Sequence, residues 1–289
     1  MAGYDIQTLD TLMTAISFIV GAMVGSFLNV CVYRLPKGES IVKPRSRCPK
    51  CENPIVWYDN IPMVSWLLLG AKCRHCKTPI SWQYPLVEAI TAALFGAVYV
   101  RYGFTIASPV YMLLSAGLVL VTFVDLTDWT IPNEVTFPGI PLGLVCALVA
   151  MFVPGTNLMI LSPPSVPIFS ALLGAVIGGG ILYLLDKGAL LILGKRGMGF
   201  GDVKLIAMLG AFFGFPAVLM IIAIAACSGA FLGYALILMQ RSKGQEETAH
   251  YIPFGPYLSF AGVIVMLFGQ FLYTTWTAYM GIEIQQQPY

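Results

Sequence analysis

Long apolar runs separated by short polar stretches set the pattern of this chain. The runs fall at 11–33, 85–100, 109–124, 135–153, 168–193, 203–214, 217–240 and 254–278, judged against the roughly 20 residues a helix needs to cross a bilayer. The run at 203–214 is short and ends at Gly214-Phe215-Pro216. It reads as a tilted helix, a re-entrant segment or part of one kinked span. Eight spans are favoured and seven is the main alternative. The expected fold is an all-α polytopic membrane protein of about eight transmembrane helices, with a small zinc-ribbon-like loop domain. The expected organisation is an N-terminal transmembrane helix (1–33), a polar cysteine-bearing loop (34–84) and an apolar helical body (85–289). No internal repeat or low-complexity segment is evident, and the tail Gln285–Tyr289 reads as frayed.

Composition supports the membrane reading. Hydrophobic residues make up 58% of the chain and charged residues 10%, against about 25% charged in a soluble domain. No Lys or Arg precedes Arg34 and no small-residue cleavage site follows the first run, so that run reads as a permanent anchor rather than a signal peptide. A net charge of +2 gives no reason to expect nucleic acid as a partner. The expected surroundings are a lipid bilayer.

The placement of charge predicts orientation. Nine of the sixteen Lys and Arg residues lie between Arg34 and Lys77, and the excess of basic residues marks the cytoplasmic side. The N-terminus, with Asp5 and Asp10, is then outside, which in a bacterium is the periplasm. Eight crossings put 125–134, 194–202 and 241–253 inside, with Lys195, Arg196, Arg241 and Lys243 on that side and Arg101 outside. Seven crossings would move Arg241 and Lys243 to the wrong side.

The polar loop carries Cys48-Pro-Lys-Cys51 and Cys73-Arg-His-Cys76. Two CxxC pairs at this separation are close to a zinc ribbon, in which four thiolates form a tetrahedron. A loop of this size cannot hold itself together by burial alone, so a structural metal is physically sensible. The reducing cytoplasm argues against disulfides. Four thiolates close the site, leaving no position for catalysis, and His75 reads as a bystander. Cys31, Cys146 and Cys227 read as small core residues.

Ionisable residues at membrane depth are functional candidates by default. The first cluster is Val124-Asp125-Leu-Thr-Asp128-Trp-Thr-Ile131-Pro132-Asn133, and the second is Gly197-Met-Gly199-Phe-Gly201-Asp202-Val-Lys204. The predicted topology puts both at cytoplasmic helix ends. There two carboxylates can meet, share one proton and activate water, as aspartic proteases do. The plainer readings are a helix cap for Asp202 and a solvated loop for Asp125 and Asp128. The chemistry alone weighs the two about equally. Glu88 and Asp186 read as interfacial partners for nearby basic groups. With two histidines, no HExxH, no GxSxG and no GxxxxGK[ST], zinc-protease, nucleophile-elbow and phosphate-loop chemistries are disfavoured.

Taken together, these stretches resemble the bacterial type IV prepilin leader peptidases, which are bifunctional peptidases and N-methyltransferases. Gly25-Ser-Phe-Leu-Asn-Val-Cys-Val-Tyr-Arg-Leu-Pro36 is similar to the family's N-terminal signature. The stretch Arg47–Glu88 is similar to its cysteine-bearing methylase region. Gly199-Phe-Gly201-Asp202 is similar to its GxGD motif, and Val124-Asp125 to Ile131-Pro132 is similar to its first aspartate motif. The resemblance implies a GxGD-type membrane aspartyl protease of the inner membrane, with Asp125 and Asp202 as the catalytic pair. It implies cleavage of type IV prepilins and type II secretion pseudopilins after a glycine, at the cytoplasmic face, then methylation of the new N-terminal residue from S-adenosylmethionine. Cys48, Cys51, Cys73 and Cys76 fall on the family's cysteine cluster. Many relatives carry Asp where this chain has Asn133, a position outside the catalytic pair. Asp128 remains a competitor of Asp125. The acidic 125–134 loop, without a basic residue, suits a basic leader. The competing classes are an ion- or proton-coupled transporter using the paired Asp residues, disfavoured by the lack of a repeat, and a non-catalytic zinc-ribbon scaffold.

Overall fold

The structure is a computed structural model that describes residues 6–153, 155–159, 161, 166–194, 198–242 and 253–280. Asp5, Lys195, Arg196, Gly197, Lys243 and the Gln285–Tyr289 tail lie outside them. The described residues are almost entirely helical. In chain order the helices are α1 (Ile6–Arg34), the short α2 (Val64–Leu68), α3 (Gln83–Tyr102), α4 (Ala107–Asp128), α5 (Asn133–Phe152), α6 (Pro167–Leu193), α7 (Phe200–Phe213), α8 (Phe215–Ser242) and α9 (Gly255–Tyr279). Among the described residues there is no named strand, only two isolated bridges.

Among the described residues seven helices are long and apolar enough to cross a membrane, namely α1, α3, α4, α5, α6, α8 and α9. The expected eighth is α7. Its 14 residues reach about 21 Å at 1.5 Å per residue, short of the roughly 30 Å hydrocarbon core. Gly214 at φ 84° ends it, and α8 starts immediately, so the two are separate helices rather than one kinked span. At its start, Met198 donates its N–H to Asp186 of α6. At its far end, Phe215 donates its N–H to the Ser170 hydroxyl of the same helix. Those two anchors are sixteen residues apart on α6, about 24 Å. α7 therefore runs antiparallel to α6 across most of an apolar layer. Its short length is tolerated because it hardly meets lipid: Leu205, Ile206, Met208, Leu209, Phe212 and Phe213 are all buried.

The chain forms two compact units, Met1–Val124 and Asp125–Tyr289. In the first, α1 and α3 pack closely. A Cβ on Gly25 would lie 2.7 Å from the Glu88 Cα, so the backbones approach as small residues permit. Asn29 locks the pair by donating its amide to the Tyr84 carbonyl at 3.1 Å. In the second, α7 is the core helix, contacted by α5, α6, α8 and α9. Cys31 and Cys146 are buried as expected, but Cys227 is exposed on α8. An apolar helix face in a bilayer does not need a protein core behind it, and that misled the reading of Cys227.

Candidate functional site

The second unit gathers the two carboxylates from distant helix ends. Asp125 lies in the last turn of α4 and is 5% exposed. Its Oδ2 accepts the backbone N–H of Gly255 at 3.0 Å. Gly255 opens α9, so its N–H is one of the donors a helix leaves free at its start. A Cβ at residue 255 would stand 2.5 Å from that oxygen, and only glycine allows the approach. Asp202 is the third residue of α7 and 6% exposed. Its Oδ2 accepts the Gly199 N–H at 3.1 Å, so the N-cap is Gly199 and Asp202, expected to be the cap itself, closes the first turn from the third helical position. Capping occupies one oxygen only. Oδ1 is buried with no hydrogen-bond partner among the described residues. An orphaned buried acceptor costs about 1–3 kcal/mol, a cost that a cap alone does not explain.

Ile131 joins the two halves. A Cβ on Gly201 would come 2.8 Å from the Ile131 Cβ, and one on Gly255 would come 3.1 Å from its Cδ1. The chain reaches Ile131 by turning at Trp129, which takes φ 57°, and Pro132 is buried behind it. Ile131 thus sits both beside the residue preceding Asp202 and beside the glycine bonded to Asp125. Asp128 lies elsewhere. It is exposed and accepts the Thr127 hydroxyl at 2.8 Å.

Two residues were misread from sequence. Asp186 is in no ion pair among the described residues. Its Oδ1 accepts the Met198 N–H at 3.2 Å, one residue before Gly199, so it anchors the glycine stretch that positions Asp202. Glu88 is 7% exposed, and its Oε2 accepts the Met63 N–H at 2.7 Å. Both carboxylates hold backbone rather than basic side chains, because those backbone donors have no helical partner. Gly255 was missed altogether. Its only local signal was a Gly-Pro pair opening an apolar run. Lys204 donates to the Asn133 side chain and lies 5.1 Å from the Phe137 ring centre, so this part of the rim is not purely acidic.

In the first unit, the four expected cysteines come together. The sulfurs of Cys48, Cys51, Cys73 and Cys76 all lie within 4.8 Å of one another, and His75 is not among them. None is in a disulfide. Cys48 Sγ lies 3.7 Å from Cys76 Sγ, close to the edge of about 3.8 Å in a tetrahedron built on zinc–sulfur bonds of about 2.3 Å. The donor set therefore fits a structural zinc ion. Thr78, through its hydroxyl and its backbone N–H, draws the Cys76 thiol down to about 6, towards the thiolate a metal requires.

The knuckles also correct the expectation of no internal repeat. Arg47-Cys48-Pro-Lys-Cys51-Glu-Asn-Pro-Ile55-Val-Trp57 and Lys72-Cys73-Arg-His-Cys76-Lys-Thr-Pro-Ile80-Ser-Trp82 share one pattern. Each is closed by an antiparallel bridge, Arg47 with Pro54 and Lys72 with Pro79. Cys48 N–H donates to Asn53 O at 3.0 Å and Cys73 N–H to Thr78 O at 2.8 Å. Glu52 and Lys77 both take positive φ, 56° and 58°. Arg74 then clasps Asp59 through two hydrogen bonds of 2.7 and 2.5 Å.

Beside this loop, the C-terminal half of α1 lines a cavity of about 270 Å³ with Ser26, Arg34, Arg45, Ser46 and Asn60 at its polar wall.

The comparisons with known proteins agree across both units. The Bacterial Peptidase A24 N-terminal domain family matches residues 19–102 and the Type IV leader peptidase family matches residues 112–234. The chain is 36% identical to the prepilin leader peptidase/N-methyltransferase of Aeromonas hydrophila, over 93% of this chain and 94% of that one. It is 36% identical to the protein of that name from Neisseria gonorrhoeae, over 90% and 92%. It is 35% identical to the one from Pseudomonas aeruginosa, over 92% and 94%. No solved structure gives a significant match.

Proposed function

The chain belongs to the type IV leader peptidase family, and from that membership and its paired carboxylates we propose that it cuts the leader from type IV prepilins and pseudopilins with Asp125 and Asp202, then N-methylates the new N-terminus. The observation that carries the peptidase half is the burial of two carboxylates at helix ends that meet around Ile131, one of them with an oxygen that no protein group among the described residues satisfies. Two close carboxylates in a poorly hydrated site cannot both ionise easily, so the pair holds one proton.

The ionised member takes a proton from water, and the water oxygen attacks the scissile carbonyl carbon. The protonated member gives its proton to the carbonyl oxygen. The resulting tetrahedral adduct collapses: the carbon–nitrogen bond breaks, the departing amine takes the proton held by the first carboxylate, and one hydroxyl of the adduct returns its proton to the second as the carbonyl re-forms. Gly255 N–H and Gly199 N–H orient one oxygen of each acid, leaving the Asp202 Oδ1 for water or substrate.

The basic residues of the loop 34–84 support an orientation with that loop in the cytoplasm and the N-terminus in the periplasm, as expected of the bacterial inner membrane. The carboxylates then stand at the cytoplasmic boundary, where a short basic leader meets its apolar helix. Cys48, Cys51, Cys73 and Cys76 hold zinc as a structural staple. The methyl group comes from S-adenosylmethionine. Its transfer needs the new amine, which is the product of the cleavage.

The test is cleavage of a prepilin by the purified chain in detergent, beside Asp125→Asn, Asp128→Asn and Asp202→Asn. Loss in the first and third only, with all three folded, supports the assignment. Cleavage surviving in either of those two overturns it.

A further inference from the structure

Arg34 is an anomaly of the first unit. It is nine-tenths buried, at the end of α1, and its guanidinium donates to the carbonyls of Ser40 at 2.9 Å and Pro44 at 2.8 Å. Two carbonyls satisfy two of its five donors but do not neutralise its charge. Among the described residues no carboxylate pairs with it, the ion pairs being Arg47 with Glu52 and Arg74 with Asp59. Buried charges are ordinarily paired. Arg34 also lines the 270 Å³ cavity, together with Arg45, and no acidic residue contributes to its wall. Phe27 and Val30 of α1 and Ile41 of the loop supply an apolar side, and Ser26 and Asn60 add neutral polar groups.

A cavity with two cations, no anion, an apolar side and neutral hydrogen-bonding groups calls for a small ligand carrying a carboxylate. We propose that Arg34 and Arg45 bind the carboxylate of the methionyl end of S-adenosylmethionine, so that this cavity is the methyl-donor site. The inference rests on the methyl-transfer half of the proposed function. A planar guanidinium pairs with a carboxylate through two parallel hydrogen bonds, and the donor's amino-acid end supplies the missing counter-charge. The cavity is at the small end of ligand pockets, which run from about 300 Å³ upwards. It therefore takes one end of the molecule, and the nucleoside extends beyond it.

The experiment is calorimetric binding to the full chain in detergent, with S-adenosylhomocysteine and 5′-methylthioadenosine as probes. The second probe lacks the amino-acid end. The wild type should bind the first at least about tenfold tighter, the expected scale for hydrogen bonds to a charged group. Arg45→Gln should weaken S-adenosylhomocysteine by about tenfold and leave methylthioadenosine unchanged, while prepilin cleavage continues as in the wild type. Arg34→Gln should behave alike. Because that residue also holds the loop, the exposed Arg45 is the decisive variant. Equal binding of both probes to the wild type, or unchanged binding in Arg45→Gln, overturns the site. Unchanged donor binding with a loss of co-purifying anionic phospholipid would assign the arginines to a lipid headgroup and also overturn it. A wild type that cleaves but binds neither probe would instead bring down the methyl-transfer reading itself.

Discussion

The four thiols and the two carboxylates are both clusters of reactive side chains, yet they are assembled in opposite ways. Each thiol pair is held by a knuckle whose hydrogen bonds close within ten residues, and the two knuckles follow one pattern. The carboxylates depend on partners far away, Asp125 on Gly255 across 130 residues and both flanking glycines on Ile131. The knuckles are local motifs whose four sulfurs meet in one place. The carboxylate pair is a product of helix packing. Damage to the loop should therefore stay in the loop, whereas the carboxylate site should respond to changes on helices that carry no catalytic group.

The sharpest way to break this contrast is at the acids themselves. Asp125→Asn and Asp202→Asn should each lower cleavage by at least about 10³-fold, the upper range of acid–base contributions, and Asp128→Asn should stay within about twofold. Initial rates on a prepilin with thermal melts alongside would decide it. Melting should not fall for Asp202→Asn, since an amide still accepts from Gly199 and removes the buried charge.

Gly255→Ala probes packing without touching an acid. Its methyl group would press on the Asp125 Oδ2, so cleavage should drop by about 10–100-fold, with overpacking costing about 1–3 kcal/mol. Asp186→Leu should lower cleavage by about tenfold, the effect of losing one charged hydrogen bond, while Asp186→Asn keeps the acceptor and should stay near wild type. Equal losses in both would mean that charge, and not the anchor on Met198, is what matters.

Chelation, or Cys73→Ser, should release zinc and open the 34–84 loop to proteolysis, yet change cleavage less than tenfold, the opposite balance to the Asn variants. Acid should do the same by degrees. Among the four neighbouring thiols Cys76 is drawn from an ordinary 9.0 down to about 6 while Cys51 is pushed up to about 11, so the Cys76 thiolate favours the folded loop above pH 9 and that advantage is lost as pH falls through 6. Zinc retention measured between pH 9 and 5 should decline over that window. The smallest effect belongs to Asp59→Ala. It removes the two-bond clasp on Arg74, in which the Asp59 side chain is 10% and the Arg74 side chain 49% exposed, and should lower loop stability by about 1 kcal/mol.

Much of this was legible along the chain. Length and hydropathy determined the helices, because in a bilayer each must satisfy its backbone within itself. The CxxC pairs determined the sulfur cluster, because their ligands are set by turns only a few residues long. Asp125 and Asp202 stood out as charges in apolar surroundings. Only the tertiary structure shows Asp125 buried and Asp128 exposed, three residues apart on one helix end, since burial depends on what α7 and α9 bring to that end. It alone turned Asp186 and Glu88 from surface partners into backbone anchors, and left Arg34 buried without a counter-charge. Sequence periodicity shows which residues face away from water. It does not show which distant helix end supplies the hydrogen bond, and in this chain the carboxylate site is made of such bonds.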